Sequence, residues 1–174
     1  MIIVSLNDTI PAKREAYTYM GDNTYYTYNT DFGSIVIESD GSAITGLKTN
    51  SNAKHDGINK PDKLTDSAAK ELDEFFTGKR KVFDLPLNPH GTDFQRSVWK
   101  ALQDIPYGET RSYKQIAEAI GNPKACRAVG LANNKNPIWV IIPCHRVIGA
   151  NGALTGYGGG FEMKQRLLEL EKQQ

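Results

Sequence analysis

The chain of 174 residues is 39% hydrophobic and 24% charged, which suits one domain or two small ones sharing an interface and excludes a disordered chain. It has no apolar run near the ~18 residues of a membrane span, no basic-then-apolar leader at Met1–Leu6, and two cysteines, Cys126 and Cys144, too few for a disulfide framework, so a cytoplasmic protein is expected. The formal net charge of +1 divides unevenly, with ten Lys/Arg against thirteen Asp/Glu in residues 1–88, eleven against seven in 89–174, and eight against three from Arg96 to Arg146, which reads either as a solvated charged face or as a surface for a polyanion.

The first half reads as strands followed by a helix. Tyr17–Tyr28 is rich in Tyr and Thr, which favours a strand. Phe32–Glu38 and Ala43–Lys48 flank Asp40-Gly41, a hairpin signal because glycine supplies the positive φ of the turn. Asn50–Lys63 lacks periodicity and is expected to be loop. Thr65-Asp66-Ser67 offers an N-cap to a helix with Ala68, Ala69, Leu72, Phe75 and Phe76 on its apolar face and Gly78 as its stop. Phe83–Gly91, with Pro86 and Pro89, is expected to be a linker.

The second half reads as helical. Thr92 with Gln95, and Ser112 with Gln115, are capping-box pairs. The first helix carries Phe94, Val98, Trp99 and Leu102 and ends at Pro106-Tyr107-Gly108. The second buries Ile116, Ala117 and Ile120 and ends at Gly121. Asn122-Pro123 is a third helix start, running to about Asn133. Ile138–Ile142 is a short strand-like apolar run. A glycine-rich loop, Gly149–Gly160, leads to a last helix from Phe161 to about Lys172.

Three features carry chemistry. The two helices around Gly121-Asn122 form a helix-turn-helix pattern, unless they are an ordinary helical hairpin. The second has small residues, Ala125, Ala128, Gly130 and Ala132, beside Lys124 and Arg127, which fits close groove contact rather than long-reach readout. Cys144 next to His145 is either a nucleophile with its base or a packing cysteine, and contact between them requires a turn after Pro143 or a bridging water. Glu171 projects from the apolar stripe Met163, Leu167, Leu168 and Leu170, so it orients a histidine unless it is a frayed terminal residue. The Gly156–Gly160 run lacks the Lys-Ser/Thr of a phosphate loop and is read as a loop over a site. Cys126, Cys144, His90 and His145 match no zinc-finger spacing.

Pro143-Cys144-His145-Arg146-Val147, preceded by Asn136-Pro137, resembles the active-site signature of the O6-alkylguanine-DNA alkyltransferases. The likeness runs from about Leu64 to Glu171. It takes in Phe94-Gln95, Val98-Trp99, Ile105-Pro106-Tyr107-Gly108, Ser112-Tyr113, Gly121-Asn122-Pro123, Arg127-Ala128-Val129-Gly130 and Leu154-Thr155-Gly156-Tyr157.

The resemblance implies an α+β fold: a small N-terminal α/β domain with a ribonuclease-H-like sheet (1–88), then a mainly helical C-terminal domain with a helix-turn-helix (89–174). It implies single-turnover transfer of a methyl or other small alkyl group from O6 of guanine in double-stranded DNA to Cys144, leaving O4 of thymine open. His145 would activate Cys144 through water, held by Glu171. Asn136 would tie the turn before the active-site strand to the helix-turn-helix. Tyr113 would press on a phosphate and protonate the leaving guanine. Arg127 would fill the gap left by a base flipped through the minor groove. Gln95, Lys114, Asn122, Lys124 and Ala150 would contact DNA, and Tyr157, Gly158 and Trp139 would line the pocket. A monomer without cofactor or metal is expected, since no cysteine precedes Cys126 to build an N-terminal zinc site. Gly158 stands where others often have serine, and Trp139 is bulkier than the residue often found there. The alternatives are a non-enzymatic helix-turn-helix DNA-binding module and, more distantly, a cysteine hydrolase.

Overall fold

Asp40 closes the hairpin expected at Asp40-Gly41. Its carboxylate accepts the backbone N–H groups of Ser42 and Ala43, and Gly41 takes a φ of 81°, which a side chain would resist. This turn joins β2 (Gly33–Ser39) to β3 (Ile44–Thr49), and β2 pairs antiparallel with β1 (Thr24–Thr30) on its other side. The computed structural model describes residues 23–49, 55, 57–154 and 158–173. The expected strand from Tyr17 is therefore described from Thr24 onward.

The segment expected to be loop contributes more than connection. Ile58–Asn59 forms β4, parallel to β1 with Thr24 opposite Ile58. Among the described residues the sheet order is β3-β2-β1-β4. A two-residue strand carries no readable period, which is why its sequence resembles loop. The cap of α1 (Lys63–Phe76) also differs from expectation. Asp62 is the N-cap and Thr65 is its reciprocal partner three residues on. Thr24 donates to the other oxygen of Asp62 at 2.6 Å, so the start of α1 is fixed by β1. Leu72 and Phe75 bury the helix against Ile35 and Ile37 of the sheet, and Gly78 ends it with a φ of 76°.

The expected linker at Phe83–Gly91 is free of helix, with a single bridge at Leu87. The linker lies along the open edge of β3: Ile44 N–H donates to Pro86 O, and Asn88 N–H to Ile44 O. It leads to α2 (Asp93–Gln103), capped by Thr92 and Gln95 as read. Trp99 of α2 is buried and its indole N–H donates to Ala132 O at 2.8 Å, so α2 is locked to α4 (Cys126–Asn134).

The helix-turn-helix is present. β5 (Arg111–Ser112) leads into α3 (Tyr113–Ala119), again with its capping box, and Gly121 reverses the chain with a φ of 72°. The second helix starts later than Asn122-Pro123 suggests. Ala125 N–H returns to Asn122 O, closing a separate turn, and α4 begins at Cys126 with Ala125 as an N-cap that makes no side-chain bond.

The run Ile138–Ile142 is not a strand. Ile138 makes a single bridge to Leu47, Val140 has a φ of 66°, and Ile142 N–H folds back to Ile138 O. Its residues are apolar because they fill the core between the two halves. β6 (Val147–Ile148) pairs with β5, and α5 (Phe161–Lys172) closes the chain. Among the described residues no helix is long and apolar enough to cross a membrane.

Candidate functional site

Pro143 ends the turn-rich segment, and Cys144–Arg146 form one turn of 3-10 helix. A turn rather than an extended strand therefore separates Cys144 from His145, and both side chains are buried. The sulfur interacts with the side-chain amide of Asn136 and the backbone N–H groups of Cys144 and His145.

Glu171 organises the rest. Its Oε1 lies 2.8 Å from His145 Nε2, and Arg146 Nε donates to both carboxylate oxygens at 3.1 and 3.0 Å. Gly108 N–H donates to Oε2 at 2.9 Å, and Arg146 also reaches Ile105 O. One carboxylate thus ties α5 to the Cys144–Arg146 turn and to the Pro106-Tyr107-Gly108 bend. An ionised carboxylate only accepts, so the neutral imidazole carries its proton on Nε2 and presents a lone pair at Nδ1. That nitrogen is buried and has no hydrogen-bond partner among the described residues.

Charge follows from burial and pairing. Burial alone would raise the Glu171 carboxyl, but His145 and Arg146 outweigh it and hold it at about 2. Burial lowers His145 against the pull of Glu171, so the ring is neutral at neutral pH and able to take a proton. Burial pushes the Cys144 thiol up to about 11, opposed by the Asn136 hydrogen bond and the Lys164 charge. Lys164 is itself buried, donates to Val147 O at 2.6 Å, and is lowered to about 8. The resting sulfur is therefore a thiol that feels the charge of buried Lys164, its chain neighbour His145 is a neutral base, and it becomes nucleophilic when its proton leaves.

Asn136 meets the helix-turn-helix through its backbone, its N–H donating to Asn133 O of α4 at 3.3 Å. It closes its own turn, donating from Nδ2 to Ile142 O and accepting Ile138 N–H. Asn133 of α4 adds a second tie, its Nδ2 donating to Cys144 O at 3.2 Å. Sequence reasoning assigned no role to Asn133, Arg146 or Lys164. Lys164 was accessible to it, because 164, 167, 168 and 171 share one helical face.

The other expected residues fall into two groups. Tyr113 starts α3, and its ring packs beside Gly130, where an added Cβ would meet Cε1 at 3.7 Å. Arg127, Asn122 and Lys124 are exposed on α4 and the turn before it. Lys114 is exposed and pairs with Glu118 at 3.8 Å. Gln95 turns its carbonyl oxygen to Thr92 N–H in the capping box. Ala150 is exposed in the turn after β6. Trp139 is half-buried, and an added Cβ on Gly158 would stand 2.7 Å from its Cζ2, so the indole occupies the space below that loop. Tyr157 lies outside the described residues.

The sequence model described as "6-O-methylguanine DNA methyltransferase, DNA binding domain" matches residues 93–173, and the one described as "6-O-methylguanine DNA methyltransferase, ribonuclease-like domain" matches residues 23–89. The chain belongs to the 6-O-methylguanine DNA methyltransferase family. Among its relatives, the methylated-DNA–protein-cysteine methyltransferase of Mycobacterium bovis is 49% identical over 152 residues, 85% of this chain and 92% of that protein. The protein of that name from Methanosarcina barkeri is 65% identical over 105 residues, 60% of this chain and 66% of the relative. The crystal structure of Mycobacterium tuberculosis OGT in complex with DNA superposes with a TM-score of 0.81 at 49% identity, covering 86% of this chain and 93% of that one. The family's two parts meet in this fold at the linker along β3, with the buried cysteine in the helical part.

Proposed function

We propose that this chain repairs duplex DNA by transferring a methyl or other small alkyl group from O6 of guanine to the sulfur of its own Cys144. The observation that carries the reading is the buried Cys144-His145 turn with Glu171 fixed on the imidazole. A DNA-binding module has no use for a carboxylate-oriented base beside a thiol. His145 Nδ1 takes the thiol proton through a bridging water. The thiolate attacks the alkyl carbon, the S–C bond forms as the C–O bond breaks, and guanine leaves with the electron pair and takes a proton from Tyr113. The product is a thioether, so each chain acts once.

DNA docks on the exposed face of α4 in the minor groove. Arg127 replaces the flipped guanine in the stack, offsetting an unstacking cost of about a few kcal/mol. Lys114, Lys124, Asn122, Gln95 and Ala150 hold the backbone, while Trp139, Gly158 and Tyr157 bound the pocket. The protein works as a cytoplasmic monomer with parts at 1–88 and 89–174; its two free thiols, Cys126 and Cys144, suit a reducing compartment.

Intact-protein mass spectrometry after mixing with excess O6-methylguanine duplex tests this. One added methyl group on wild type, none on Cys144→Ser, and at most one lesion repaired per chain are expected. No mass gain on wild type would leave a binding module, and sustained turnover would exclude thioether formation as the end point.

A further inference from the structure

Leu131 is 66% exposed on α4. It stands four residues beyond Arg127 and three beyond Ala128, so the three side chains share a face. Lys124, Arg127, Ala128, Leu131, Asn134 and Lys135 are all exposed, whereas Val129, Ala132 and Asn133 are buried. The buried face is committed to the core: Ala132 O holds the Trp99 indole and Asn133 holds the Cys144 carbonyl. α4 therefore cannot roll to cover Leu131.

The chemistry around Leu131 selects its occupant. From Asn122 to Lys135 there is no Asp or Glu, and Lys124, Arg127 and Lys135 are cations. An apolar side chain between cations matches a nucleic-acid groove, where charges track phosphates and an apolar group reaches past them to the floor. Ala128 and Gly130 beside it keep the helix surface low enough for that approach.

We propose that Leu131 reads sequence context, contacting the minor-groove floor near the lesion and favouring A·T over G·C pairs there. This rests on α4 as the minor-groove helix. Both pair types present acceptors in the minor groove, and G·C adds the guanine 2-amino group. A leucine pressed against that group cannot accept its hydrogen bond and competes with it for space. Four residues of helix rise about 6 Å, close to two base-pair steps with the axis along the groove. The discriminated pair is therefore about two steps from the flipped guanine.

The test uses duplexes with one O6-methylguanine and a single variable pair, A·T, G·C or inosine·C, at each of three positions on either side. Single-turnover rates at limiting protein are divided by the rate with free O6-methylguanine base. At one position wild type should react about fivefold faster with A·T and with inosine·C than with G·C, because inosine lacks the 2-amino group. Leu131→Ala should reduce that ratio below about twofold with an unchanged melting temperature, since the side chain is outside the core. A wild type indifferent to context, an inosine·C pair that behaves as G·C, or a Leu131→Ala variant that keeps the full preference would each overturn the proposal. Arg127→Ala separates this from failure of the underlying reading. If Arg127→Ala leaves the duplex-to-free-base ratio unchanged, α4 is not the DNA face and the proposal falls with that reading. If Arg127→Ala lowers the ratio while Leu131→Ala changes nothing, only the context role is lost.

Discussion

Glu171 concentrates more consequence than any other side chain of the site, because one carboxylate serves His145, Arg146 and Gly108. Its folded pKa of about 2 is depressed from an ordinary 4.5, so the unfolded chain takes up the proton first as pH falls. The stabilisation is complete above about pH 4.5 and is lost as pH drops towards 2, by about 3 kcal/mol at most. Glu171→Gln should remove that acid-range dependence, lower stability at neutral pH by about 3 kcal/mol because buried Arg146 loses its partner, and slow transfer, with the pH–rate profile displaced to alkaline. Chemical denaturation from pH 3 to 8 beside single-turnover rates measures all three, and an unchanged profile would remove the relay. Lys164 makes a separate prediction. Lys164→Met strands the Val147 carbonyl and removes the cation that favours the thiolate. Stability should fall by about 1–3 kcal/mol, and the rate at pH 7 should fall more than the rate at pH 10. Equal losses at both pH values would make Lys164 structural only. Glu171 was legible in the sequence because its position on an apolar stripe is a local property. Arg146 and Lys164 were less so, because a charged residue is normally solvated and its burial depends on partners distant in the chain.

At the scale of elements, the capping boxes of α2 and α3 were readable because a cap needs only residues three apart. Asp62 was missed because Thr65-Asp66-Ser67 offers a competing cap, and the choice between them is made by Thr24 on β1. The segment 136–142 was misread for the same kind of reason. Its apolar residues suit a strand, but Asn136 folds it into turns, and among the described residues its bridge is a single one, Ile138 to Leu47. That geometry places Trp139 under Gly158 and couples two departures noted separately in the sequence. A Cβ at position 158 would overlap the indole at 2.7 Å, so Gly158→Ser should move the loop and slow transfer from duplex DNA. Trp139→Ala should open the same space and narrow the rate gap between benzyl and methyl. In the double variant the serine has room, so its cost should fall by at least half relative to its cost in wild type. A double-mutant cycle on transfer rate checks this, and additive effects would mean the two residues do not share the space.

For the whole molecule, β3 is the structural joint. Its outer edge accepts the linker at Ile44 and the loop before Cys144 at Leu47, where Leu47 N–H donates to Pro137 O at 2.8 Å and Trp139 N–H donates to Leu47 O at 3.0 Å. A sheet edge otherwise open to association is covered in this way, and the N-terminal half thereby holds the backbone that carries the nucleophile. The uneven charge follows the same division: the acidic half supplies the brace, and the basic half is the one that matches the DNA-binding domain. Two substitutions at one position isolate the brace. Leu47→Ala removes a buried side chain but keeps the N–H, at a cost of about 2–5 kcal/mol. Leu47→Pro removes a comparable amount of packing and also the donor to Pro137, and its ring fixes φ on the strand. Both variants should unfold at lower denaturant concentration in a single transition, because the core is continuous from Ile37 through Trp99 to Ile142. Under conditions where both are more than nine-tenths folded, Leu47→Ala should transfer within about twofold of wild type, since the hydrogen bonds that set the loop remain. Leu47→Pro should transfer at least tenfold more slowly, because residues 137–139 are released and the sulfur loses its fixed relation to His145. Circular dichroism establishes the folded fraction and rapid-quench transfer from O6-methylguanine duplex measures the rate. Equal rates for the two folded variants would show that the N-terminal half contributes stability alone, and that α4, α5 and the bend at Gly108 suffice to hold the site.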